Sequence, residues 1–269
     1  MRLRIVYRLL IVVCVSTIFL TGCQTVPITG RRQLSLIPTS KMHSMSFQQY
    51  DEFIKKNKLS DDEDKVRMVK EVGKNIQSAV EEFFAERNMS EQLEGYNWEF
   101  HLVEDDTINA WCMPGGKVVV YTGILPITRN EAGLAVVVGH EVAHAVANHG
   151  NERMSQGLLV QLGGTALSEA ISEKPETTRK LFMASFGVGA QYGVLMPYSR
   201  KHESEADRLG MIFMALAGYD PHEAPKLWIR MREQSGGSPP EFLSTHPSHD
   251  TRIENMREYM PQAMEYYRP

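Results

Sequence analysis

Apolar residues recur at helical spacing through residues 61–87, and Lys and Glu occupy the opposite face. The apolar positions of this stretch are Val66, Val69, Ile76, Val80, Phe83 and Phe84. A spacing of three to four residues places such positions on one side of a helix, so the pattern predicts an amphipathic helix.

After residue 97, strict alternation of apolar and polar residues replaces the helical spacing. Trp98, Phe100 and Leu102 are separated by polar residues, which predicts a strand with one buried face. A Pro-Gly-Gly turn at 114–116 leads into a second predicted strand, 117–121. Two strands in succession predict a small antiparallel sheet.

Helical patterns dominate from residue 130 onward. The predicted helices are 130–149 with Gly150 as its C-cap, 152–170, 203–217, 221–234 and 249–259, and 236–247 is a predicted loop. The apolar segment Leu181–Met196 contains glycines, which favours a buried, closely packed helix; the alternative is a segment that dips into a membrane or contacts substrate. Early strands followed by helices predict an α+β, mostly helical fold, with the small sheet beside the helix 130–149.

The first 22 residues have the pattern of a secretion signal. Three arginines precede an apolar run, 9–20, which is short for a membrane span. The next residues, Leu20-Thr21-Gly22-Cys23, resemble the bacterial lipobox, in which the cysteine is lipidated and becomes the new N-terminus. An uncleaved anchor helix is the alternative interpretation.

Lipid on Cys23 would anchor the chain to a membrane without a spanning helix. Gln24, rather than Asp, follows the cysteine. By the sorting rule of such lipoproteins, this predicts a location at the outer membrane of a Gram-negative bacterium, facing the periplasm. The predicted organisation is a lipoprotein signal peptide, 1–22, a lipid-anchored tether, 23–40, and one folded domain, 41–269.

Composition limits the possible partners. The 269 residues are 42% hydrophobic and 23% charged, as in an ordinary globular protein, and the net charge is −4. A mildly acidic chain has no electrostatic footprint for nucleic acid, so no nucleic-acid partner is expected. Cys14 and Cys23 belong to the N-terminal segment, which leaves Cys112 alone in the body and excludes a disulfide within it.

The sequence His140-Glu141-Val142-Ala143-His144 lies inside the predicted helix 130–149. Residues four apart share one helix face, so the two imidazoles can bind one Zn²⁺. Glu141 projects beside the open coordination site, where a carboxylate can take a proton from water. A polar pair on an exposed face is the alternative, but the apolar flanks disfavour it, because charged residues are rarely buried without partners.

A catalytic zinc site usually has a third protein ligand in addition to water. The acidic segment 202–207 is the best source, because Glu203 and Asp207 lie four residues apart on one helix face. Glu203 can bind the metal while Asp207 orients one of the histidines. Glu205 lies on a different face and is the weaker candidate.

These motifs make the chain resemble the zinc metallopeptidase family of the CaaX prenyl protease and the HtpX heat-shock protease. That family belongs to the gluzincins, whose third zinc ligand is a glutamate. Its E-x-x-A-D motif matches Glu203 and Asp207. The resemblance covers about residues 97–259 and implies a gluzincin-type metallopeptidase domain that binds one zinc ion per chain. With the lipobox, it implies the periplasmic lipoprotein branch of the family.

Three residues are candidates for the donor that stabilises a developing oxyanion, namely His246, Arg252 and Tyr198. His246 and Arg252 also match a segment of the resembling family. His246 has two further interpretations: it can reach the metal and occupy the water position as a gate, or it can be a loop histidine bonded to backbone.

The strand 117–121, if it lies at an exposed sheet edge, can bind an extended peptide as an added strand. Asn109-Ala110 and the residues 118–123 resemble the edge-strand segment of the family, which implies substrate contacts at Asn109, Ala110, Val118, Val119 and Val120. Such binding reads backbone and predicts broad specificity for polypeptides. The resemblance extends this to unfolded or misassembled envelope proteins and to the outer-membrane assembly machinery as a partner. An ordinary paired strand is the alternative.

The predicted function is therefore a zinc-dependent endopeptidase in which Glu141 is the general base. Two functions of other classes compete with it: a non-proteolytic periplasmic chaperone or assembly factor that uses the same cleft, and a structural lipoprotein with an incidental motif. The intact Glu141 argues against the chaperone, because a protein that only binds has no need of a general base.

Overall fold

A computed structural model of the chain describes residues 23–26, 29–191, 196–234, 242, 244, 246 and 250–269. The predicted signal peptide and most of the predicted loop 236–247 lie outside these residues. The described residues form two compact units. One comprises the residues up to Thr39 with Gly150–Met196, and the other comprises Ser40–His149 with Pro197–Pro269.

The strands and helices are numbered in chain order. The strands are β1 (Cys23–Thr25), β2 (Arg32–Leu34), β3 (Glu99–Val103), β4 (Ala110–Met113) and β5 (Lys117–Tyr121). The helices are α1 (Thr39–Lys56), α2 (Glu63–Glu86), α3 (Leu125–Thr128), α4 (Glu131–Val146), α5 (His149–Ala170), α6 (Glu176–Ala190), α7 (Met196–Leu216), α8 (Glu223–Glu233) and α9 (Asp250–Met264). The mostly helical α+β fold class is confirmed.

The three-stranded sheet of the second unit has the order β3-β5-β4. β5 lies in the centre, parallel to β3 and antiparallel to β4. The prediction of a purely antiparallel sheet is wrong because β4, which has no polar alternation, was missed. A tight turn through Gly115 and Gly116, both with positive φ, folds β4 back onto β5 and leaves the opposite side of β5 for β3.

Helix α4 is the centre of the second unit. The side chain of Asn130 caps its first turn by accepting a hydrogen bond from the Gly133 N–H at 2.9 Å. Every residue from Gly133 to Val146 is buried, because α2, α8 and β4 pack around the helix. Polar side chains on such a helix require partners to offset the loss of water.

Helices α4 and α7 cross at a pair of glycines. A Cβ on Gly210 would lie 2.8 Å from the backbone nitrogen of His140, and a Cβ on Gly139 would lie 3.0 Å from the carbonyl oxygen of Gly210. Glycine permits this approach because it has no side chain. Gly210 lies about two helical turns from Glu203, so the crossing sets the distance between the two halves of the predicted metal site.

The prediction that the helix beginning near residue 130 extends to residue 149 is wrong. Helix α4 ends at Val146, and Asn148 adopts the left-handed conformation with a φ of 56°. Asparagine tolerates this conformation better than most residues. His149 then begins α5, so Gly150 lies within the first turn of the next helix and does not cap α4.

The first unit contains the β1–β2 hairpin and helices α5 and α6. The guanidinium of Arg31 donates two hydrogen bonds to the buried carboxylate of Glu152, at 3.0 and 2.8 Å. The side chain of Asn151 donates to the carbonyl of Ile37 at 2.7 Å. Residues 31–37, which the sequence assigned to a tether, are therefore bonded to α5, and lipid on Cys23 stays a prediction.

The apolar segment Leu181–Met196 begins within α6, and its residues 192–195 lie outside the described part of the chain. Leu181, Phe182 and Val188 are 66%, 50% and 58% exposed, so the interpretation as a buried helix is wrong for them. Contact with a membrane or with substrate stays a prediction for this segment. Among the residues that the structure describes, no helix combines the length and apolarity needed to cross a bilayer.

We expect Gly210→Ala to weaken both folding and metal binding. The added methyl group would meet backbone atoms of His140 and Gly139, which cannot move aside easily, so the loss of stability should be about 1–3 kcal/mol. Urea denaturation followed by circular dichroism measures the stability, and competition with a chromophoric chelator measures the affinity for zinc.

Gly187→Ala in α6 is the matched control, because a Cβ there would contact nothing within 4 Å. Alanine should stabilise that helix by about 0.5–1 kcal/mol and leave zinc affinity unchanged. Wild-type stability and wild-type affinity in the Gly210→Ala protein would contradict the tight crossing.

Candidate active site

Four side chains from three parts of the second unit converge on one point. His140, His144, Glu203 and His246 each offer a ligand atom, and these atoms lie within 4.8 Å of one another. All four residues are buried. Helix α4 provides the first two, α7 provides Glu203, and the segment before α9 provides His246.

The donor set fits a tetrahedral cation. His140 Nε2 lies 3.1 Å from His144 Nε2, 3.2 Å from His246 Nδ1 and 3.3 Å from Glu203 Oε2. Glu203 Oε1 lies 3.4 Å from His144 Nε2 and 3.1 Å from His246 Nδ1. Bonds of 2.0–2.1 Å to a tetrahedral zinc place ligand atoms about 3.3 Å apart, so the group has the size and the chemistry of a metal site.

Glu141 lies beside this group and not within it. Its carboxylate is buried, and Oε1 makes no hydrogen bond to any residue that the structure describes. His246 Nε2 is the near neighbour, at 3.3 Å from Oε1. A buried oxygen of this kind is costly unless a further group pairs with it, and a water molecule at the site would do so.

His246 is held among the ligand atoms and away from the solvent. Its backbone N–H donates to the carbonyl of Phe242 at 2.9 Å, and the N–H of Phe242 donates to the carbonyl of Ile108 at 3.1 Å. Of the three interpretations that the sequence left open, the geometry agrees with the one in which His246 reaches the metal position.

Asp207 and Arg252 support the ligand group from behind. Asp207 Oδ1 lies 2.9 Å from His140 Nδ1, the nitrogen that points away from the other ligands. Arg252 donates from Nε and Nη2 to the two oxygens of Asp207, at 2.7 Å each, and its guanidinium lies 3.4 Å from the ring centroid of Trp228. Asp207 therefore lies where it can orient the ring of His140.

The expectation that Arg252 donates to an oxyanion does not agree with these contacts. Besides its two bonds to Asp207, its Nη1 lies 3.3 Å from the carbonyl of His246 and 3.3 Å from Glu203 Oε2. A buried guanidinium with its donors engaged in this way positions the ligands and does not face a substrate. The side chain of Tyr198, the other candidate, lies outside the described residues.

His149 and Glu205 form a second supporting pair, which the sequence reading missed. His149 Nδ1 lies 2.8 Å from His144 Nδ1, and His149 Nε2 lies 3.0 Å from Glu205 Oε2. The sequence signal for this pair is a histidine five residues beyond His144, together with an acid on the face of α7 opposite to Glu203 and Asp207.

The expectation that β5 is an exposed edge strand is wrong. β3 and β4 pair with its two sides, and Val118, Val119 and Val120 are buried, so their backbone cannot pair with a peptide. β4 is the sheet edge nearest to α4, and it begins at Ala110. The side chain of Asn109 is buried and accepts from the Ala110 N–H at 2.9 Å.

Among the described residues, β4 is an edge strand of the sheet, and it packs against α4, the helix that carries Glu141. Burial raises the pKa of the Cys112 thiol in β4 well above its ordinary value, and the negative charge of Glu141 raises it further. The edge strand therefore lies beside the helix that carries Glu141.

Protonation within the ligand group is uneven. Burial alone would lower the pKa of His140, but hydrogen bonds with Asp207 and Glu203 outweigh it and raise the pKa to about 9. Burial lowers the pKa of His144 well below its ordinary value. Burial alone would raise the pKa of Glu203, but hydrogen bonds with the three histidines outweigh it and lower the pKa strongly. His140 therefore carries the proton of the metal-free group at neutral pH.

A buried His-Glu-x-x-His helix with a glutamate from a second helix defines a metallopeptidase domain. The comparison with known proteins agrees, because residues 71–260 match the model of Peptidase family M48. This match covers well over half of the sequence, and the chain belongs to peptidase family M48. The family resemblance seen in the motifs is thereby confirmed.

Three relatives are similar to parts of the chain. The mitochondrial metalloendopeptidase OMA1 of Schizosaccharomyces pombe is 40% identical over 175 residues, which cover 62% of this chain and 48% of that protein. Human mitochondrial metalloendopeptidase OMA1 is 31% identical over 255 residues, or 91% of this chain and 47% of that protein. The beta-barrel assembly-enhancing protease of Yersinia pestis is 31% identical over 168 residues, which cover 60% of this chain and 34% of that protein. The chain spans about half the length of these OMA1 proteins.

Zinc affinity should depend on pH through His140. Because the pKa of His140 is raised to about 9, its ring is protonated below that pH, and a metal ion must displace the proton. The apparent affinity should therefore rise roughly tenfold per pH unit from neutral pH and level off above about pH 9. Chelator competition between pH 6.5 and 10 measures this slope.

Asp207→Asn tests the cause of that dependence. It removes the charge that holds the proton on His140, so the pH at which the affinity levels off should fall. An affinity for zinc that is independent of pH in the wild-type protein would contradict the assignment.

Proposed function

We propose that the chain is a zinc-dependent endopeptidase. The observation that supports this most directly is the group of four buried ligand atoms beside the Glu141 carboxylate, whose Oε1 has no hydrogen bond among the described residues. Nitrogen and oxygen donors in a tetrahedral arrangement are the usual environment of zinc. Membership in peptidase family M48 supports the same activity.

The residues divide the chemistry between them. His140, His144 and Glu203 hold the metal, which when bound polarises the scissile carbonyl and makes water a stronger acid. Glu141 takes the proton of the attacking water and passes it to the leaving amine. Asp207 keeps the ring of His140 in the tautomer that leaves Nε2 free for the metal.

His246 makes the described arrangement a closed one. A catalytic zinc site keeps one position open for water and substrate, whereas a site with four protein ligands is closed. His246 Nδ1 would take that fourth position when a metal is bound, so activity would require this side chain to move away. The N–H of Phe242, which lies four residues before His246, donates to the carbonyl of Ile108, two residues before β4 begins.

Substrates are extended polypeptides that add a strand to β4. Its outer edge is unpaired among the described residues, and β4 packs against α4, the helix that carries Glu141. Main-chain hydrogen bonds of this kind recognise backbone, so many sequences can bind. Unfolded or misassembled envelope proteins meet this requirement, because a folded protein rarely offers a free extended segment.

The location is the periplasmic face of a bacterial outer membrane, through lipid on Cys23. The support is the lipobox-like sequence and the residue Gln24 that follows it. One of the bacterial relatives is named for its effect on β-barrel assembly, which makes the outer-membrane assembly machinery the partner to consider. The OMA1 relatives are mitochondrial, so the proposal of a bacterial lipoprotein rests on the N-terminal segment.

We expect Glu141→Gln to abolish proteolysis while zinc stays bound. Removing a general base typically lowers the rate by about 10²–10⁴-fold. Cleavage of casein measures the activity, and the zinc-to-protein ratio measures the metal. Glu131→Gln, at the exposed start of the same helix, is the control and should keep full activity.

A non-proteolytic chaperone would behave differently in this experiment. The wild type and Glu141→Gln would then suppress aggregation of an unfolded protein equally, and neither would cut casein. A wild-type protein that binds no zinc would favour a structural lipoprotein instead.

His246→Ala should raise activity, because it opens the fourth position and leaves three protein ligands. The same substitution would lower activity about 10²–10³-fold if His246 were instead an oxyanion donor. Initial rates of casein cleavage separate the two outcomes, with His222→Ala, an exposed histidine, as the control. A rate equal to that of wild type would exclude both roles.

A further inference from the structure

His144 is supported by a chain of two buried side chains that no ligand role explains. Its Nδ1 lies 2.8 Å from His149 Nδ1, and His149 Nε2 lies 3.0 Å from Glu205 Oε2. His149 is 0% exposed and Glu205 is 6% exposed. The ring of His202 stacks on the ring of His149 with centroids 4.3 Å apart and planes 15° apart.

The positions of the protons in this chain follow from hydrogen-bond chemistry. A neutral imidazole has one N–H and one bare nitrogen, and the bare nitrogen is the one that binds a metal. If His144 Nε2 faces the metal, then Nδ1 carries the proton and donates to His149 Nδ1. His149 Nδ1 must therefore be bare, so the proton of His149 is on Nε2, where it donates to the carboxylate of Glu205.

We propose that His149 and Glu205 are positioning residues that fix the tautomer and the ring orientation of His144. This inference rests on the proposed metal site. Each of the two metal histidines is then oriented by a carboxylate of α7. Asp207 orients His140 directly, and Glu205 orients His144 through His149. Hydrogen bonds to the far nitrogen of a metal-bound histidine set both its orientation and its basicity.

The fold explains why the second histidine requires an intermediary. Glu203, Glu205 and Asp207 lie at alternate positions of α7, so Glu205 points away from the face that Glu203 and Asp207 share. The left-handed turn at Asn148 ends α4 and returns the chain so that His149 lies against His144. His149 thereby fills the distance between His144 and an acid on the other face of α7.

The test is the affinity of the full chain for zinc in matched variants. His149→Leu removes both hydrogen bonds and should weaken zinc binding about 10–100-fold. His149→Asn keeps an oxygen near the position of Nδ1, which can accept from His144, and should recover much of the loss. His43→Leu, which removes a buried histidine far from the ligands in sequence, should leave the affinity unchanged.

Glu205→Gln keeps an acceptor for His149 and should cost less affinity than Glu205→Leu. A folded His149→Leu protein that binds zinc as tightly as wild type would overturn the inference, as would equal losses in the Leu and Asn variants of His149. The proposed function would survive either result, because wild type would still bind zinc and cut casein.

A measurement on the wild-type protein does not depend on whether the variants fold. Long-range ¹H–¹⁵N spectra of the zinc-loaded chain distinguish the two neutral tautomers of each histidine. The inference expects a protonated Nδ1 on His144 and a protonated Nε2 on His149. Metal bound through His144 Nδ1, or a proton on His149 Nδ1, would overturn it.

Discussion

Helices α4 and α7 touch at Gly139 and Gly210, and the candidate site depends on this contact. The first of the two metal histidines directly follows Gly139, and the carboxylates of α7 lie within about two turns of Gly210. Side chains of ordinary size at the crossing would separate the helix axes. The ligand atoms from the two helices could then not lie about 3 Å apart.

Bringing these groups together inside the protein is costly without charge pairing. The ligand group contains a buried carboxylate, and Asp207 is a second one. Arg252 bonds to Asp207 and lies close to Glu203, while Trp228 covers the guanidinium. Buried ions of opposite sign in close contact offset much of their desolvation, and removing one of them exposes the full cost of the other. The supporting residues are therefore as much a part of the site as the ligands.

Pairing between distant elements decides which strand lies at the edge of the sheet, and the pattern of one segment does not show it. A strand of five residues, four of them apolar, has the same sequence pattern whether it is at the edge or in the centre of a sheet. The third strand, β4, pairs with the second side of β5 and thereby places β5 in the centre of the sheet. The four residues of β4 do not alternate between apolar and polar, so the sequence pattern does not identify them as a strand. The predicted end of the helix near His149 is wrong for a related reason. A single asparagine in a left-handed conformation terminates α4, and the following glycine does not.

The sequence by itself determined the arrangement of His140, Glu141 and His144, and the shared face of Glu203 and Asp207. Helix geometry converts residue spacing into distance over one turn, so these relations are local. Only the tertiary structure decided that Glu203 meets the two histidines, that His246 joins them, and that His149 links His144 to Glu205. Those contacts join residues that lie in different elements, and they form because packing and buried charge bring the elements together, which no local spacing encodes.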